Sequence, residues 1–346
     1  WYRSVFFQIQ YTRNIKLGVF IYHTNNLRAD KRINLVLRVS QIRKGQQRGL
    51  FLMAVLTEVW FFADDIMDDL IVNHVSSDST AFLDFIMKGK ESDFCDFFLT
   101  YKSVIPKVAT EDDLMAIYRQ RPGFPFTYTT FNNGEKKLLW TTFTPKQIDI
   151  NVLHPLGQKY LDSILSLFAK NGIKMIRLDA AGYAIKEAGT SCFMIPKTYN
   201  FISELSQKAQ SKGMETLVEI HSHYQTQIEI SKKVDWVYDF ALPPLILHAF
   251  FFKTSTYLKH WIKIRPTNAV TVLDTHDGIG IIDIGPDNTD PIRRPGLVPD
   301  NELDQMVEII HSNSGGESRR ATGAAASNLD LYQVNCTYFD AVSYTH

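Results

Sequence analysis

Arg177 and Asp179 stand two residues apart in "MIRLDAAGYAIKEAG" (Met175–Gly189), a segment that opens as a buried strand and closes as a helix. Side chains at i and i+2 of a strand share a face, so the guanidinium and the carboxylate are neighbours. Such a pair rarely stabilises a fold outright. It does keep a carboxylate ionised, because a nearby cation lowers the carboxylate pKa. Taken alone, the pair reads equally as a structural cap or as chemical equipment. Glu219 and Asp277 stand in two further apolar runs, "ETLVEIHS" (Glu215–Ser222) and "NAVTVLDTHD" (Asn268–Asp277), and His74, His221 and His276 accompany them. Two carboxylates flanking a scissile bond are the equipment of glycosyl transfer. One must attack as an anion, which suits Asp179 beside Arg177. The other must hold a proton in a drier place, which suits Glu219 behind Thr-Leu-Val. A metal reading competes with this one. Glu219, His221 and His223 alternate as ExHxH and could face one side of a strand as ligands. A metal-dependent amidohydrolase-type barrel would need further His and Asp ligands and an HxH on its first strand, and none is visible near the N-terminus.

These residues need strands that deliver them to one place. From about residue 65 short apolar runs end in polar residues: "DLIVNH" (Asp69–His74), "IKMIRLDA" (Ile173–Ala180), "ETLVEIHS", "VDWVYDFA" (Val234–Ala241) and "NAVTVLDTHD". Amphipathic helix candidates lie between them, at Tyr160–Gly172 and Tyr199–Gly213, each closing on a glycine that signals a C-cap. Near-continuous apolar strands alternating with helices predict a parallel sheet covered on both faces. Ionisable groups at the strands' C-terminal ends fit the active face of a (β/α)8 TIM barrel. A doubly wound sheet also binds ligands there, but no glycine-rich first turn is present. Residues 76–158 and 278–346 are too long for plain loops and are expected as inserted subdomains after strands 3 and 7, over the barrel mouth. The barrel itself is expected from 63–75 and 159–277.

The 346 residues carry no formal net charge, which argues against a nucleic-acid or anionic-membrane partner. Residues 1–62 depart from the rest, with ten Lys or Arg against Asp30 and Glu58 and no proline before Pro106. They read as a divergent or foreign basic segment in place of the first barrel strands. Cys95, Cys192 and Cys336 are far apart, without zinc or disulfide spacing, and point to a reducing, cytoplasmic setting. The longest apolar run, Leu50–Leu56, is too short for a bilayer.

The segments "DLIVNH", "IRLDAAGYAIKEAGTSCF", "VEIHSHY" and "VLDTHDGIG" resemble the four conserved regions of the α-amylase superfamily, glycoside hydrolase family 13. The phrases "YRQRPGFPFTYTTF", "LLWTTFTPKQIDINVLHPLG", "YDFALPPLILHAF", "IRPTNAVTVLDTHDGIGIIDIG" and "ATGAAASNLDLYQVN" resemble its sucrose phosphorylase branch, from about Asp65 to Phe339. The resemblance implies a retaining double displacement: sucrose and phosphate give α-glucose 1-phosphate and fructose. Asp179 matches the nucleophile, Glu219 the general acid/base and Asp277 the carboxylate that steadies the transition state. Arg177 keeps its place beside the nucleophile. His74, His276, Phe143 and Tyr183 match the donor pocket. Arg121, His221, Asp330, Leu331, Tyr332 and Gln333 match the acceptor side, where fructose and phosphate alternate. The resemblance implies small-molecule substrates, no cofactor and no metal, with a homodimer among the open assemblies. Phosphorylases of glucosylglycerate or sucrose 6′-phosphate, and an α-glucosidase or transglucosidase, are the alternatives. The family's donor-site aspartate before "DLIVNH", eighth strand and C-terminal β domain find no counterpart, so the chain is expected to be incomplete at both ends and truncated before strand 8.

Overall fold

The computed structural model describes residues 66–119, 123–287, 294–320 and 333–343, with three further strands as backbone at 5–10, 16–23 and 33–40. One eight-stranded sheet organises the chain. Its order is β1 (Val5–Gln10), β2 (Lys16–His23), β3 (Ile33–Ser40), β4 (Ile66–Ile71), β9 (Met175–Asp179), β10 (Glu215–Val218), β11 (Trp236–Asp239) and β12 (Ala269–Thr271). The first three strands run antiparallel. From β3 to β12 every ladder is parallel. Among the described residues no ladder joins β12 back to β1, so the sheet is seen as an open order.

The period of two explains β9. Ile176 and Leu178 are fully buried on one face, which leaves Arg177 and Asp179 to the other. Register then gathers the charges. Asp69 of β4 lies beside Arg177, and Ile71 beside Asp179. On the other side Leu217 of β10 pairs with Arg177. Glu219, two residues past Leu217, continues that face, and its N–H reaches the Leu178 carbonyl at 3.2 Å.

Helices cover the opposite face. The expected helices are Pro155–Lys170 and Pro196–Ser211, each starting on a proline, which suits the first helical turn. Both stop before a glycine of positive φ, Gly172 at 75° and Gly213 at 78°, as the C-cap signal predicts. Leu161, Leu165, Ile202, Leu205 and Ala209 bring these helices into the core that holds Ile176, Leu178 and Val218. A second core joins helices Leu242–Phe252 and Thr256–Ile264 to β13 (Ile279–Gly280), helix Asp300–Asn313 and β14 (Gln333–Val334), around Trp261, Ile281, Met306 and Ile310. Between β4 and the helix at Pro155 lie β5 (His74–Ser76), β6 (Phe126–Thr130), β7 (Lys136–Trp140) and β8 (Gln147–Asp149), with β6 and β7 a hairpin and β5 on β8. Among the described residues no helix is long and apolar enough to cross a membrane.

Two sequence expectations need correction. The run Asn268–Asp277 is not one strand: β12 ends at Thr271, and Asp277 lies in a turn closed by Thr275 and Gly278. The ExHxH run is not one either. β10 ends at Val218, and His223 is the N-cap of helix Tyr224–Ser231, its ring accepting from the Gln225 N–H. The basic stretch 1–62 falls outside the described side chains.

Candidate active site

Arg177 is the hub. One terminal nitrogen reaches Asp179 at 2.8 Å and Asp69 at 3.2 Å, and the other reaches Glu219 at 2.6 Å. Of the three carboxylates around this buried guanidinium, Asp179 and Glu219 are displaced in opposite directions. Burial alone would raise Asp179, but the Arg177 charge and hydrogen bonds from Glu219 and Arg177 hold it below the usual carboxylate range. Burial raises Glu219 to about 7; Arg177 opposes this, while the neighbouring Asp179 charge adds to it. The two carboxyls are hydrogen-bonded to each other, so Glu219 keeps the proton and Asp179 the charge. An ionised carboxylate thus stands beside a protonated one.

Ala180 follows Asp179 in the left-handed region, φ 54° and ψ 24°. The backbone turns there into a short 3-10 turn, Ala181–Tyr183, that buries Tyr183. An aromatic file runs from it. His74 packs edge-on to Phe143 at 5.3 Å, Phe143 to Tyr183 at 5.2 Å, and Tyr183 and Tyr118 each to Phe193 at 4.6 Å. Burial lowers the His74 pKa against the pull of Asp149 and Asp179, and the Gln147 amide nitrogen sits 2.9 Å from its Nε2. His74, Phe143 and Tyr183 therefore form one wall near the carboxylates. A fully buried ion pair braces that wall. Lys186 Nζ meets Asp149 at 2.9 Å and the Asn73 side chain at 2.7 Å, and donates to the Tyr183 carbonyl.

His221 sits across the site, stacked on Phe240 with centroids 3.7 Å apart. Its Nδ1 faces Asp283 Oδ2 at 2.9 Å. Asp283 also accepts from the Ser222 N–H at 3.0 Å and the Gln227 amide at 2.7 Å. Burial opposes a charge on His221, but Asp283, Glu219 and Asp277 together raise its pKa. Gly280 makes this approach feasible: a Cβ there would lie 2.0 Å from Asp283 Oδ2 and 2.8 Å from His221 Nδ1. Gln333 is buried opposite Gly280 in the β13–β14 ladder.

Asp277 and His276 pair with each other at 2.9 Å, both more than two-fifths exposed. Arg121, Asp330, Leu331 and Tyr332 lie outside the described residues. Among those described, no cluster of three or more His, Cys, Asp or Glu could hold a metal ion. Glu219 turns to Arg177, His221 to Asp283, and His223 to the Pro295 carbonyl at 3.0 Å. Sequence reasoning missed Asp283, Lys186 and Asp149, whose partners are distant along the chain. Asp69 had a signal: it is polar in an apolar run, in register with Arg177 on the next strand.

No family model matches the chain. It is 58% identical over 278 residues to the sucrose phosphorylase of Agrobacterium vitis, covering 80% of this chain and 56% of that protein. To the sucrose phosphorylase of Bifidobacterium adolescentis it is 55% identical over 278 residues, covering 80% and 55%. Among solved structures, the sucrose 6F-phosphate phosphorylase from Thermoanaerobacter thermosaccharolyticum superposes with a TM-score of 0.72 at 32% identity, over 83% of this chain and 57% of that one. The chain thus spans a little over half the length of the curated relatives it matches.

Proposed function

Because the chain belongs to the sucrose phosphorylase branch of glycoside hydrolase family 13, we propose that it carries the glucosyl-transfer site of an enzyme that converts sucrose and phosphate to α-glucose 1-phosphate and fructose. The observation that carries this reading is Arg177 bonded to both Asp179 and Glu219, with the two carboxyls displaced in opposite directions. Asp179 attacks C1 of the glucosyl unit while Glu219 gives its proton to the departing fructosyl oxygen. Phosphate then attacks C1 of the glucosyl-enzyme and restores the Asp179 carboxylate, with Glu219 assisting. Two displacements retain the α configuration. Carboxyls this close favour that route over a single inverting displacement, which needs about 6.5–9.5 Å between them for a water. Sugar entry would open the pair to the ~5–5.5 Å of retaining enzymes. His74, Phe143 and Tyr183 line the glucosyl pocket, with His276 and Asp277 on its rim. His221 and Gln333, with Arg121, Asp330, Leu331 and Tyr332, serve the acceptor.

The parallel ladders and flanking helices support the (β/α)8 barrel proposed for 63–75 and 159–277, with 76–158 and 278–346 as its insertions; a cytoplasmic setting and a homodimer belong to the same proposal. Identities of 58% and 55% to sucrose phosphorylases favour sucrose as donor over a 6-phosphorylated one, where the curated relatives stand at 35% and 30%.

The test is a product and trapping assay. With sucrose and phosphate the enzyme should release glucose 1-phosphate and fructose in equal amounts, with anomeric retention. A slow fluorinated glucosyl donor should leave its adduct on Asp179, located by peptide mass mapping. Asp179→Asn should lower turnover by more than about 10⁴-fold, since an amide cannot replace the nucleophile. An adduct elsewhere, or an inverted product, overturns the reading.

A further inference from the structure

The charges around His221 pose a problem for a phosphate acceptor. Phosphate is an anion, and it would approach C1 among Asp179, Glu219 and Asp277. Among the described residues, the cation that meets these carboxylates is Arg177, and it is already committed to Asp69, Asp179 and Glu219. A neutral water meets no such repulsion, so a site built only of these groups would favour hydrolysis. His221 lies in the field of both Glu219 and Asp277, on the acceptor side in the proposed function.

Asp283 is fully buried, so it contacts no substrate. Every polar partner it shows is an N–H donor or the His221 ring: Ser222 N, Gln227 Nε2 and His221 Nδ1. Burial raises the Asp283 pKa, while His221, the Ser222 N–H and the Gln227 amide all favour its charged form; that donor set suits a carboxylate accepting at both oxygens. A carboxylate facing Nδ1 fixes the ring orientation and raises the basicity of the other nitrogen. Phe240 stacked on the ring prevents it from swinging aside. Gly280 leaves no space for a side chain between the two groups.

We propose that Asp283 is a positioning residue of the acceptor subsite: it anchors His221 through Nδ1, so that the imidazolium offers Nε2–H to the incoming phosphate in preference to water. This rests on the proposed glucosyl transfer and adds the device that selects its acceptor. Asp283→Asn keeps the shape but removes the charge that holds the imidazolium. The ratio of phosphorolysis to hydrolysis should fall about tenfold or more, the size of one charge-assisted hydrogen bond. The KM for phosphate should rise, and the first release of fructose should suffer much less than phosphate attack. A purely structural role would lower phosphorolysis and hydrolysis together, and that result overturns the inference.

If Asp283→Asn does not fold, two measurements keep the question open to refutation. His221→Gln should produce the same fall in the ratio. In the unsubstituted protein labelled with 15N-histidine, both His221 nitrogens should be protonated near neutral pH. A bare Nε2, or a His221→Gln variant that still prefers phosphate, overturns the inference while leaving glucosyl transfer intact. A protein that forms no glucosyl-enzyme overturns the proposed function first, and the inference with it.

Discussion

The two edges that bring carboxylates to the site are built differently. At β9 and β10, Asp179 ends one strand and Glu219 immediately follows its neighbour, and both lock onto Arg177. Side-chain exposure is 21% for Asp179 and 11% for Glu219. At the β12 edge the strand is three residues long, and Asp277 hangs six residues beyond it with 44% of its side chain exposed. The first edge sets protonation states through burial and charge. The second offers a carboxylate that solvent still reaches. In the proposed mechanism the groups that must hold or lose a proton stand on or beside paired central strands, and the group that would grip hydroxyls stands in a turn.

The largest effect that would break this contrast is at Glu219. Glu219→Gln should lower turnover of sucrose about 10²–10⁴-fold, the range for a lost general acid. Glucosyl fluoride, whose leaving group needs no proton, should lose far less. Equal losses on both donors would remove the protonation asymmetry from the first edge. Next comes Arg177→Leu, which leaves Asp69, Asp179 and Glu219 without their shared cation. Breaking such a buried cluster should destabilise by about 3–5 kcal/mol in a denaturant titration.

A smaller effect should appear in the pH profile. Glu219, raised to about 7, must be protonated to act as acid, so first-step rates should fall up to tenfold per pH unit above about 7. Asp179 is shifted downward and stays an anion through that range, so no acid limb should appear near neutrality. Glu219→Gln should abolish the alkaline limb. The smallest effect belongs to the second edge. His276→Ala should change stability by no more than about 0.5 kcal/mol, as expected for an exposed pair. A loss of several kcal/mol would mean that the turn is as rigid as the sheet.

What was legible in the sequence follows from the range of each interaction. Ile176 and Leu178 alternate with Arg177 and Asp179, so one short string reveals strand, face and ion pair together. Gly172 and Gly213 mark helix ends because a positive φ is a local requirement of the chain. Asp277 was misplaced because its apolar run looks like a strand to Asp274, yet pairing with β11 reaches only Thr271. Asp283 lies 62 residues from His221, in a bend of Ile and Asp with no period to betray it. Lys186 and Asp149 stand 37 positions apart with no pattern linking them. Only packing makes them a buried pair.

Ala180 carries a consequence for how this protein could change. A residue with a Cβ in the left-handed region costs roughly 1–2 kcal/mol. Glycine would remove that penalty, and would give back only about 0.4–1 kcal/mol through a more flexible unfolded chain. Ala180→Gly is therefore open to selection for thermal resistance. Yet it would loosen the peptide that follows Asp179, the proposed nucleophile, where misplacement by about 1 Å can cost roughly a hundredfold in rate. At this one position a screen for heat tolerance and a screen for turnover should choose different amino acids.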